Sequence, residues 1–175
     1  MQATILLGFD FSKDYESLGS KALSLVDVGK TVDDTASTFS DLNGIKLKNE
    51  CHDFRVIADD MLTTIFHNLI ENSLKYGEKV TQIEVYIQTN TDDSATIVYE
   101  DNGVGIDHVI RRKLFEKGVG KGTGYGLCLI KRTCELYGWT VKETGERDKG
   151  VRFELNIPNK TAGENVSVDS LAKNH

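Results

Sequence analysis

Two short glycine-rich stretches contain the residues of this sequence that are best suited to chemistry. In the first, Asp101 precedes Gly103 and Gly105, and the second alternates glycine with other residues over 120–126. Glycine tolerates positive φ and lets a ligand approach the backbone closely. Successive N–H groups in such turns form an anion cradle, and a glycine loop that opens a helix adds the helix dipole. The two stretches therefore indicate a ligand that carries phosphate.

Basic residues accompany the glycines, since Lys117 and Lys121 lie close to the second stretch. Either stretch alone would be weak evidence, but the two together with these lysines predict a nucleotide held under a flexible lid. Asp101 ends a predicted strand, where its carboxylate can accept hydrogen bonds. An aspartate at that place also commonly caps its own turn, so the residue type does not decide between the two roles.

A polar stripe follows one predicted helix. Asn68, Asn72, Lys75 and Tyr76 are spaced at i, i+4, i+7 and i+8, so they share a face. Taken alone, such a stripe is more commonly a solvated helix surface. Beside the glycine stretches it is interpreted as a wall of the nucleotide site, because an amide oxygen can ligate Mg²⁺, an ammonium group can meet phosphate and an aromatic ring can lie against a base.

Hydrophobic periodicity predicts the elements that must position these residues. The fold class expected from them is α+β, a two-layer α/β sandwich with a mostly antiparallel sheet and helices on one face. Asp59 is the expected N-cap of the helix that carries the polar stripe. The two strands predicted before Asp59, over residues 45–48 and 54–58, are expected to form a hairpin. Helices are predicted over residues 1–20, 27–39, 60–76, 108–115 and 124–137, and strands over 45–48, 54–58, 83–88, 95–100, 139–144 and 151–157.

Composition sets limits on the class of protein. The chain has 175 residues and a net charge of −6 at pH 7, which gives no reason to expect a nucleic acid partner. Its three cysteines lack metal-ligand spacing and are expected to be reduced thiols in a cytoplasmic protein. No apolar run is long enough to cross a bilayer, and the first residues do not have the pattern of a signal peptide. Residues 159–175 are polar and are expected to be disordered.

Four sequence blocks, in this order and spacing, resemble the ATP-binding domain of histidine kinases. Residues 68–76 resemble the N box, 101–106 the G1 box, 114–115 the F box and 122–127 the G2 box. This is the family shared with gyrase, HSP90 and MutL, whose fold is the Bergerat sandwich. The resemblance extends over about residues 27–158, and it implies ATP and Mg²⁺ as cofactors.

The resemblance also implies a role for each matching residue. Asn72 would ligate Mg²⁺, Lys75 would meet phosphate, and Asp101 would accept a hydrogen bond from the exocyclic amine of adenine. Guanine offers a carbonyl at that position and would leave the carboxylate unpaired. The residues implied to bind ATP are Asn68, Asn72, Lys75, Tyr76, Asp101, Gly103, Gly105, Ile106, Phe115, Lys117, Lys121, Gly122, Thr123, Gly124, Tyr125, Gly126 and Leu127.

Two positions depart from the family pattern. The ATP-hydrolysing and serine-kinase branches have a glutamate general base where this chain has Asn68, and an amide cannot take a proton. This departure favours the histidine-kinase branch, in which the nucleophile is an imidazole on another domain. Glu71 is adjacent to Asn72 but about 100° around the helix, so it is expected to face away. Arg152 stands before Phe153 where family members often have threonine, and one usual contact near adenine is therefore not carried over.

A phospho-acceptor histidine is not recognised in this sequence. Histidine kinases phosphorylate a histidine that is followed by an acidic residue on a dimerising helical hairpin. His52 is followed by Asp53 but lies between predicted strands, and the other histidines are His67, His108 and His175. The chain is therefore interpreted as a catalytic fragment with no catalytic side chain of its own.

The domain and function hypotheses follow from the resemblance. Residues 1–20 would be the end of a dimerisation helix and a linker, residues 21–158 the ATP-binding catalytic domain, and 159–175 a tail. The domain would donate the γ-phosphoryl of ATP to a histidine on the dimerisation domain, which would pass it to a response regulator. No membrane contact by this chain is expected. The alternatives are an ATPase of the same superfamily and a non-catalytic ATP-binding module.

Overall fold

The computed structural model describes residues 19–92, 94–119 and 124–158. The first 18 residues of the predicted N-terminal helix and the tail over 159–175 lie outside the described residues. Three of the expected ATP-site residues, Lys121, Gly122 and Thr123, also lie outside them. Within the described residues, no helix combines the length and the apolar character needed to span a membrane.

Strands and helices follow the order that hydrophobic periodicity predicts, with one additional strand at the start. That additional strand, β1, precedes the first helix and was not expected. The elements are β1 (Ser24–Asp27), α1 (Val28–Ser37), β2 (Lys46–Glu50), β3 (Arg55–Ala58), α2 (Met61–Tyr76), β4 (Gln82–Thr89), β5 (Ala95–Asp101), α3 (His108–Arg111), α4 (Gly126–Leu136), β6 (Thr140–Glu143) and β7 (Arg152–Ile157).

Five of the strands form one mixed sheet in the order β2-β4-β5-β7-β6. β2 runs parallel to β4, and the other neighbours in this sheet are antiparallel. β1 and β3 form a separate antiparallel pair. The α+β class and the mostly antiparallel sheet are thus confirmed.

One face of the sheet is covered by helices, because its inward-facing residues are apolar and alternate along each strand. Ile83, Val85, Tyr99 and Leu155 are completely buried on this face. α2 packs on it with a nearly continuous apolar side, and α1 and α4 flank α2. The buried residues of α2 are Met61, Leu62, Ile65, Phe66, Leu69, Ile70 and Ser73. α2 therefore lies directly over the strand that ends at Asp101.

The two strands on either side of Cys51 exist as β2 and β3, but the expected hairpin between them is wrong. β2 pairs with β4 and places Leu47 beside Ile83, whereas β3 pairs with β1. The turn after β2 packs against the start of α1, where a Cβ on Gly29 would lie 2.7 Å from the backbone of His52. This tertiary contact turns the chain away from the sheet, and no local pattern encodes it.

The predicted helices differ from the structure at their ends, and two of these differences concern residues near the site. α2 begins at Met61, one residue later than expected, and the Asp60 side chain makes no capping bond. The Asp59 carboxylate instead accepts a hydrogen bond from the Met61 N–H at 2.9 Å, so it satisfies a first-turn donor from one position further back. The helix predicted over 108–115 ends at Arg111 and continues as turns.

Candidate nucleotide-binding site

The polar face of α2 forms one wall of the candidate site. Asn68, Asn72 and Tyr76 are half-buried on this face. Asn68 donates to the Thr64 carbonyl at 2.8 Å, which satisfies its amide NH₂ within the helix and leaves its oxygen facing α4. Among the described residues, the structure shows no hydrogen bond to the Asn72 side chain. Its amide oxygen is therefore available to a ligand.

Lys75 has a partner on the same helix. Its Nζ lies 2.7 Å from Glu71 Oε1, in an i,i+4 ion pair whose two side chains are 43% and 30% exposed. Glu71 was expected to face away from Asn72, and the long Lys75 side chain reaches it across one helical turn. An exposed pair of this kind contributes about 0–1 kcal/mol, so Lys75 can leave Glu71 for a stronger anion at little cost.

Asp101 lies at the end of β5 beneath α2, with only 7% of its surface exposed. Its Oδ1 accepts hydrogen bonds from the N–H groups of Gly103 at 2.9 Å and Val151 at 3.2 Å. Its Oδ2 accepts one from the Ser73 hydroxyl. A buried carboxylate that is held by donors from three segments has a fixed orientation, which suits the recognition of a base.

Glycine is required where the walls of the site approach each other. A Cβ on Gly103 would lie 2.6 Å from the Gly77 carbonyl oxygen, and the Val104 N–H donates to that same oxygen at 3.2 Å. Gly105 has φ +68, and a Cβ there would meet the Glu146 carbonyl oxygen at 2.5 Å. The loop after Asp101 is thus joined to the end of α2 on one side and to the β6–β7 connection on the other.

The start of α4 closes the site from the third side. A Cβ on Gly126 would lie 2.5 Å from Asn68 Oδ1, so the first turn of α4 packs directly against the polar face of α2. The free N–H groups and the dipole of a helix start favour an anion. The glycine stretch that opens α4 therefore directs the helix start towards the expected Mg²⁺ and phosphate residues.

Gly118 and Gly124, the two ends of a short segment, contact each other. This contact is called the closed base of the segment. The Gly118 N–H donates to the Gly124 carbonyl at 3.1 Å, and both glycines have positive φ, +81 and +66. A Cβ on Gly124 would lie 2.7 Å from the Gly118 backbone. Lys117 Nζ lies 5.1 Å from the centroid of the Tyr125 ring, in range of a cation–π interaction. Two expected site residues thus meet at this base.

Apolar residues just before Gly118 anchor the chain to the core. Phe115 is half-buried and packs edge-on against Phe153, with ring centroids 6.4 Å apart, and Leu114 is buried. Ile106 and Leu127 are also partly buried against the core. The F-box phenylalanine is therefore anchored by a residue of β7.

A buried ion pair that the sequence did not indicate fixes the loop after Asp101. Arg111 Nε lies 2.6 Å from Glu143 Oε2, and the Glu143 side chain has no exposed surface. The two atoms meet without hydrogen-bond geometry, while the other carboxylate oxygen of Glu143 accepts from the Gly145 N–H at 2.9 Å. An Arg111 NH₂ group also donates to the Gly145 carbonyl. The pair links α3 to the end of β6.

Ser73 and Tyr99 complete the surroundings of Asp101, and both were missed as functional residues. Ser73 lies on the apolar side of α2, where its spacing is that of a packing residue. Its hydroxyl is 2.8 Å from the Tyr99 hydroxyl and also bonds Asp101. A buried hydroxyl among apolar neighbours requires a partner, and this requirement was the available signal in the sequence.

Arg152, one of the two departures from the family pattern, lies on the opposite face of the sheet. It pairs with Glu100 and with Glu154, and its NH1 donates to the Tyr86 hydroxyl at 2.8 Å. Together with Glu84 it lines a surface cavity of about 400 Å³ on that face. Asp101 and Asn102 of the 101–106 motif also line this cavity, so it reaches the end of β5.

The histidines of the described residues have ordinary surface contacts. His67 stacks on Phe39 with ring centroids 4.9 Å apart. His52 lies 3.7 Å from an Asp33 carboxylate oxygen, and His108 lies beside Asp107. Each of these side chains is on the surface.

The donor set fits a magnesium nucleotide better than an isolated metal ion. Within residues 19–92, 94–119 and 124–158, no group of three or more His, Cys, Asp or Glu side chains is arranged to hold a metal. Mg²⁺ is commonly held by one or two protein oxygens together with substrate phosphates and water. The amide of Asn72, on the same face of α2 as Asn68, and the buried carboxylate of Asp101 suit the two ends of such a ligand.

Comparison with known proteins also indicates a nucleotide-binding domain. The model of the histidine kinase-, DNA gyrase B-, and HSP90-like ATPase family matches residues 58–161, which is more than half of the chain.

Similar curated proteins are sensor kinases. A probable C4-dicarboxylate sensor kinase of Bacillus subtilis is 35% identical over 107 residues, which is 57% of this chain and 20% of that protein. The swarming motility regulation sensor protein RssA of Serratia marcescens is 32% identical over 104 residues, 55% of this chain and 22% of that protein. The aligned part of this chain thus spans about a fifth of the length of these relatives.

Solved structures with the same fold include histidine kinase domains. Full-length ShkA in complex with AMPPNP superposes with a TM-score of 0.74 at 22% identity, over 93% of this chain and 37% of ShkA. The ATP-binding domain of PrrB from Mycobacterium tuberculosis superposes with a TM-score of 0.62 at 20% identity, over 79% of this chain and 98% of that domain. At these identities the likeness establishes the fold.

Proposed function

The chain belongs to the histidine kinase-, DNA gyrase B-, and HSP90-like ATPase family, and on that premise we propose that it is the ATP-binding catalytic domain of a sensor histidine kinase. It binds Mg·ATP between α2, the loop after β5 and the start of α4. It then presents the γ-phosphoryl group to a histidine on the dimerisation domain of the same kinase.

The observation that carries this proposal is the buried carboxylate of Asp101. Three donors hold it in place, so its orientation is fixed before a ligand arrives. A carboxylate only accepts hydrogen bonds, so it suits the exocyclic amine of adenine and is mismatched to the carbonyl of guanine. A site that ends in such a group selects ATP over GTP.

The remaining residues orient the nucleotide and neutralise its charge. Gly103 and Gly105 let the adenine lie close to the backbone, and Tyr76 flanks the base. Lys75 leaves Glu71 to meet a phosphate, Lys117 contributes a second positive charge, and the start of α4 offers its N–H groups. The Asn72 amide would hold Mg²⁺, which would supply positive charge for the phosphates. Phosphoryl transfer depends mainly on such positioning and electrostatics.

The nucleophile comes from outside the described residues. Among them, His52, His67 and His108 are surface side chains without an activating arrangement, and Asn68 cannot act as a general base. The acceptor histidine therefore belongs to the dimerisation domain of the kinase, and a response regulator takes the phosphoryl group from it. We assign the domain to the cytoplasm, where ATP and response regulators occur.

A labelling experiment tests this function. The chain is incubated with ATP labelled in the γ-phosphate, alone and with the separately produced dimerisation domain of the full-length kinase. We expect label on a histidine of that domain, recognised because phosphohistidine is labile to acid and stable to alkali. A dimerisation domain with its acceptor histidine replaced by glutamine is the matched control and should stay unlabelled.

The same experiment distinguishes the ATPase and binding-module alternatives. Steady release of phosphate by the chain alone, with no label on the added domain, would favour an ATPase of the same family. Binding of ATP without release or transfer would favour a binding module. The amide at Asn68, where an ATPase needs a base, argues against steady release.

A further inference from the structure

We propose that Ser73 positions the Asp101 carboxylate for adenine and thereby contributes to base specificity, with Tyr99 orienting the Ser73 hydroxyl. The proposal rests on the proposed function and adds a specificity residue to that site. Neither Ser73 nor Tyr99 is among the residues that the sequence motifs assign to ATP. Both act through Asp101, so they are positioning residues.

Proton accounting fixes the direction of the hydrogen bonds. The Ser73 hydroxyl has one proton and two possible partners, Asp101 Oδ2 and the Tyr99 hydroxyl. A carboxylate can only accept, so Ser73 donates its proton to Asp101. The single Tyr99 proton is then shared between the Ser73 oxygen at 2.8 Å and the Leu69 carbonyl at 3.1 Å. Burial raises the pKa of Tyr99, so the phenol keeps the proton that it donates. The chain of donors therefore runs from Tyr99 through Ser73 to Asp101.

The two oxygens of Asp101 are held differently. Oδ1 accepts from two main-chain N–H groups, those of Gly103 and Val151. Among the described residues, the one side-chain donor to this carboxylate is Ser73, and it bonds Oδ2. Oδ2 thus keeps a lone pair for the exocyclic amine of adenine. Without Ser73, only the two bonds to Oδ1 would restrain the plane of the carboxylate.

The position of Ser73 gives this role more weight than simple packing. Its side chain is 3% exposed and faces the sheet beside Leu69 and Ile70, which are almost completely buried. At such a place an alanine would pack without any hydroxyl to satisfy, and it has a higher helix propensity than serine. A serine here is useful only through its bonds to Asp101 and Tyr99.

The test compares two nucleotides that differ only in the exocyclic amine. The affinities of the whole chain for Mg·ATP and for the Mg complex of purine riboside 5′-triphosphate, which lacks the 6-amino group, are measured by calorimetry. For Ser73→Ala we expect about tenfold weaker binding of ATP and less than about twofold change for the analogue. For Tyr99→Phe we expect a smaller loss, about threefold, again confined to ATP.

The matched control removes a buried hydroxyl that is remote from the site. Thr35 is completely buried in α1, where its hydroxyl donates to the Thr31 carbonyl at 2.6 Å. Thr35→Val should leave the affinities for both nucleotides unchanged. Melting temperatures of all variants confirm that the titrated proteins are folded.

Two outcomes would overturn the role of Ser73. An equal loss for both nucleotides in Ser73→Ala would mean that the hydroxyl supports the pocket in general, and an unchanged ATP affinity would mean that Asp101 needs no side-chain donor. Failure of the proposed function is recognised separately, in the unaltered chain. If that chain binds neither nucleotide, or both equally well, then Asp101 does not read adenine and the role of Ser73 fails with it.

Discussion

Asp101 and Asn72 are the two polar side chains on which the candidate site depends, and the protein holds them in opposite ways. Asp101 is buried and has three donors. Asn72 is half-buried and makes no side-chain hydrogen bond within the described residues. A rigid group suits the recognition of a base, whereas an unbonded amide can adjust to a metal ion and its phosphates.

Replacing Asp101 with asparagine should weaken ATP binding by about 10- to 100-fold. Asparagine keeps the shape of the side chain but has one acceptor oxygen instead of two, and its NH₂ group opposes either a main-chain N–H or the adenine amine. Calorimetric titration with Mg·ATP measures the loss. Asp34→Asn is the control, because that carboxylate is exposed on α1 and pairs with Lys30. Equal affinities in the two variants would contradict the assignment of Asp101.

Some site residues could be predicted from the sequence and others could not. The difference is how far along the chain their partners lie. Asp101 and the glycines follow from spacing within one short stretch. Ser73 depends on Tyr99 and Asp101, which are 26 and 28 residues away, and its local pattern fits a packing residue equally well. Arg111 and Glu143 likewise meet only in the folded chain.

At the level of elements, periodicity predicted α2 and β4 closely because each buries one face against a single layer. It could not predict strand pairing, since the apolar faces of β2 and β3 suit several neighbours. In the structure β2 pairs with β4, and β3 pairs with β1, which was not expected. Pairing is decided by which helices cover which strands, and that is a property of the whole fold.

The closed base of the segment between Gly118 and Gly124 gives a prediction at this scale. Gly124→Ala should weaken ATP binding by about tenfold or more, because the new methyl group must meet the Gly118 backbone at 2.7 Å and the residue must keep φ +66. Gly118→Ala is the matched control. Its φ of +81 is similarly strained, but nothing lies within 4 Å of its Cβ.

Titration of both variants with Mg·ATP separates steric contact from backbone strain. A larger loss for Gly124→Ala than for Gly118→Ala is expected. If both lose the same affinity, the contact between the two glycines does not matter to the site, and only their backbone conformation does.

The ion pair between α3 and β6 gives a second prediction for the elements. Arg111→Met leaves the Glu143 carboxylate buried without its countercharge, so the free energy of unfolding should fall by on the order of 2 kcal/mol. This value is below that of a fully buried pair because the Arg111 side chain is 32% exposed. Urea unfolding measures the change.

The control for this pair is Arg147→Met. Arg147 is 69% exposed in its pair with Asp107, and an exposed pair should contribute less than about 1 kcal/mol. Comparable losses in the two arginine variants would argue that the Arg111–Glu143 pair has no special weight in the fold.

For the molecule as a whole, buried thiols predict how stability changes with pH. Burial raises the pKa of Cys51 and of Cys134 from 9.0 to about 12. In the unfolded chain both thiols ionise near the lower value, so alkali stabilises the unfolded state first. The contribution of these thiols to the stability of the folded state is fully present below about pH 9 and is lost as the pH rises towards 12.

The free energy of unfolding should therefore fall above about pH 9, by at most about 1.4 kcal/mol per pH unit for each thiol. Urea unfolding at about pH 8 and about pH 10 measures the slope. Cys134→Ala lowers the stability at neutral pH because it leaves a cavity, but it should make the alkaline slope shallower. An unaltered slope in that variant would contradict the role of the thiol.

The bond from the Val151 N–H to Asp101 joins residues that are 50 positions apart. Protein synthesis proceeds from the N-terminus, so a growing chain contains the adenine acceptor long before it contains the strand that completes it. The nucleotide can therefore recognise only a nearly finished domain. ATP, which is abundant in the cell, then shifts the folding equilibrium towards the native state only after the last strand has paired. Under the proposed function, the adenine pocket would thus be complete only when the domain itself is complete.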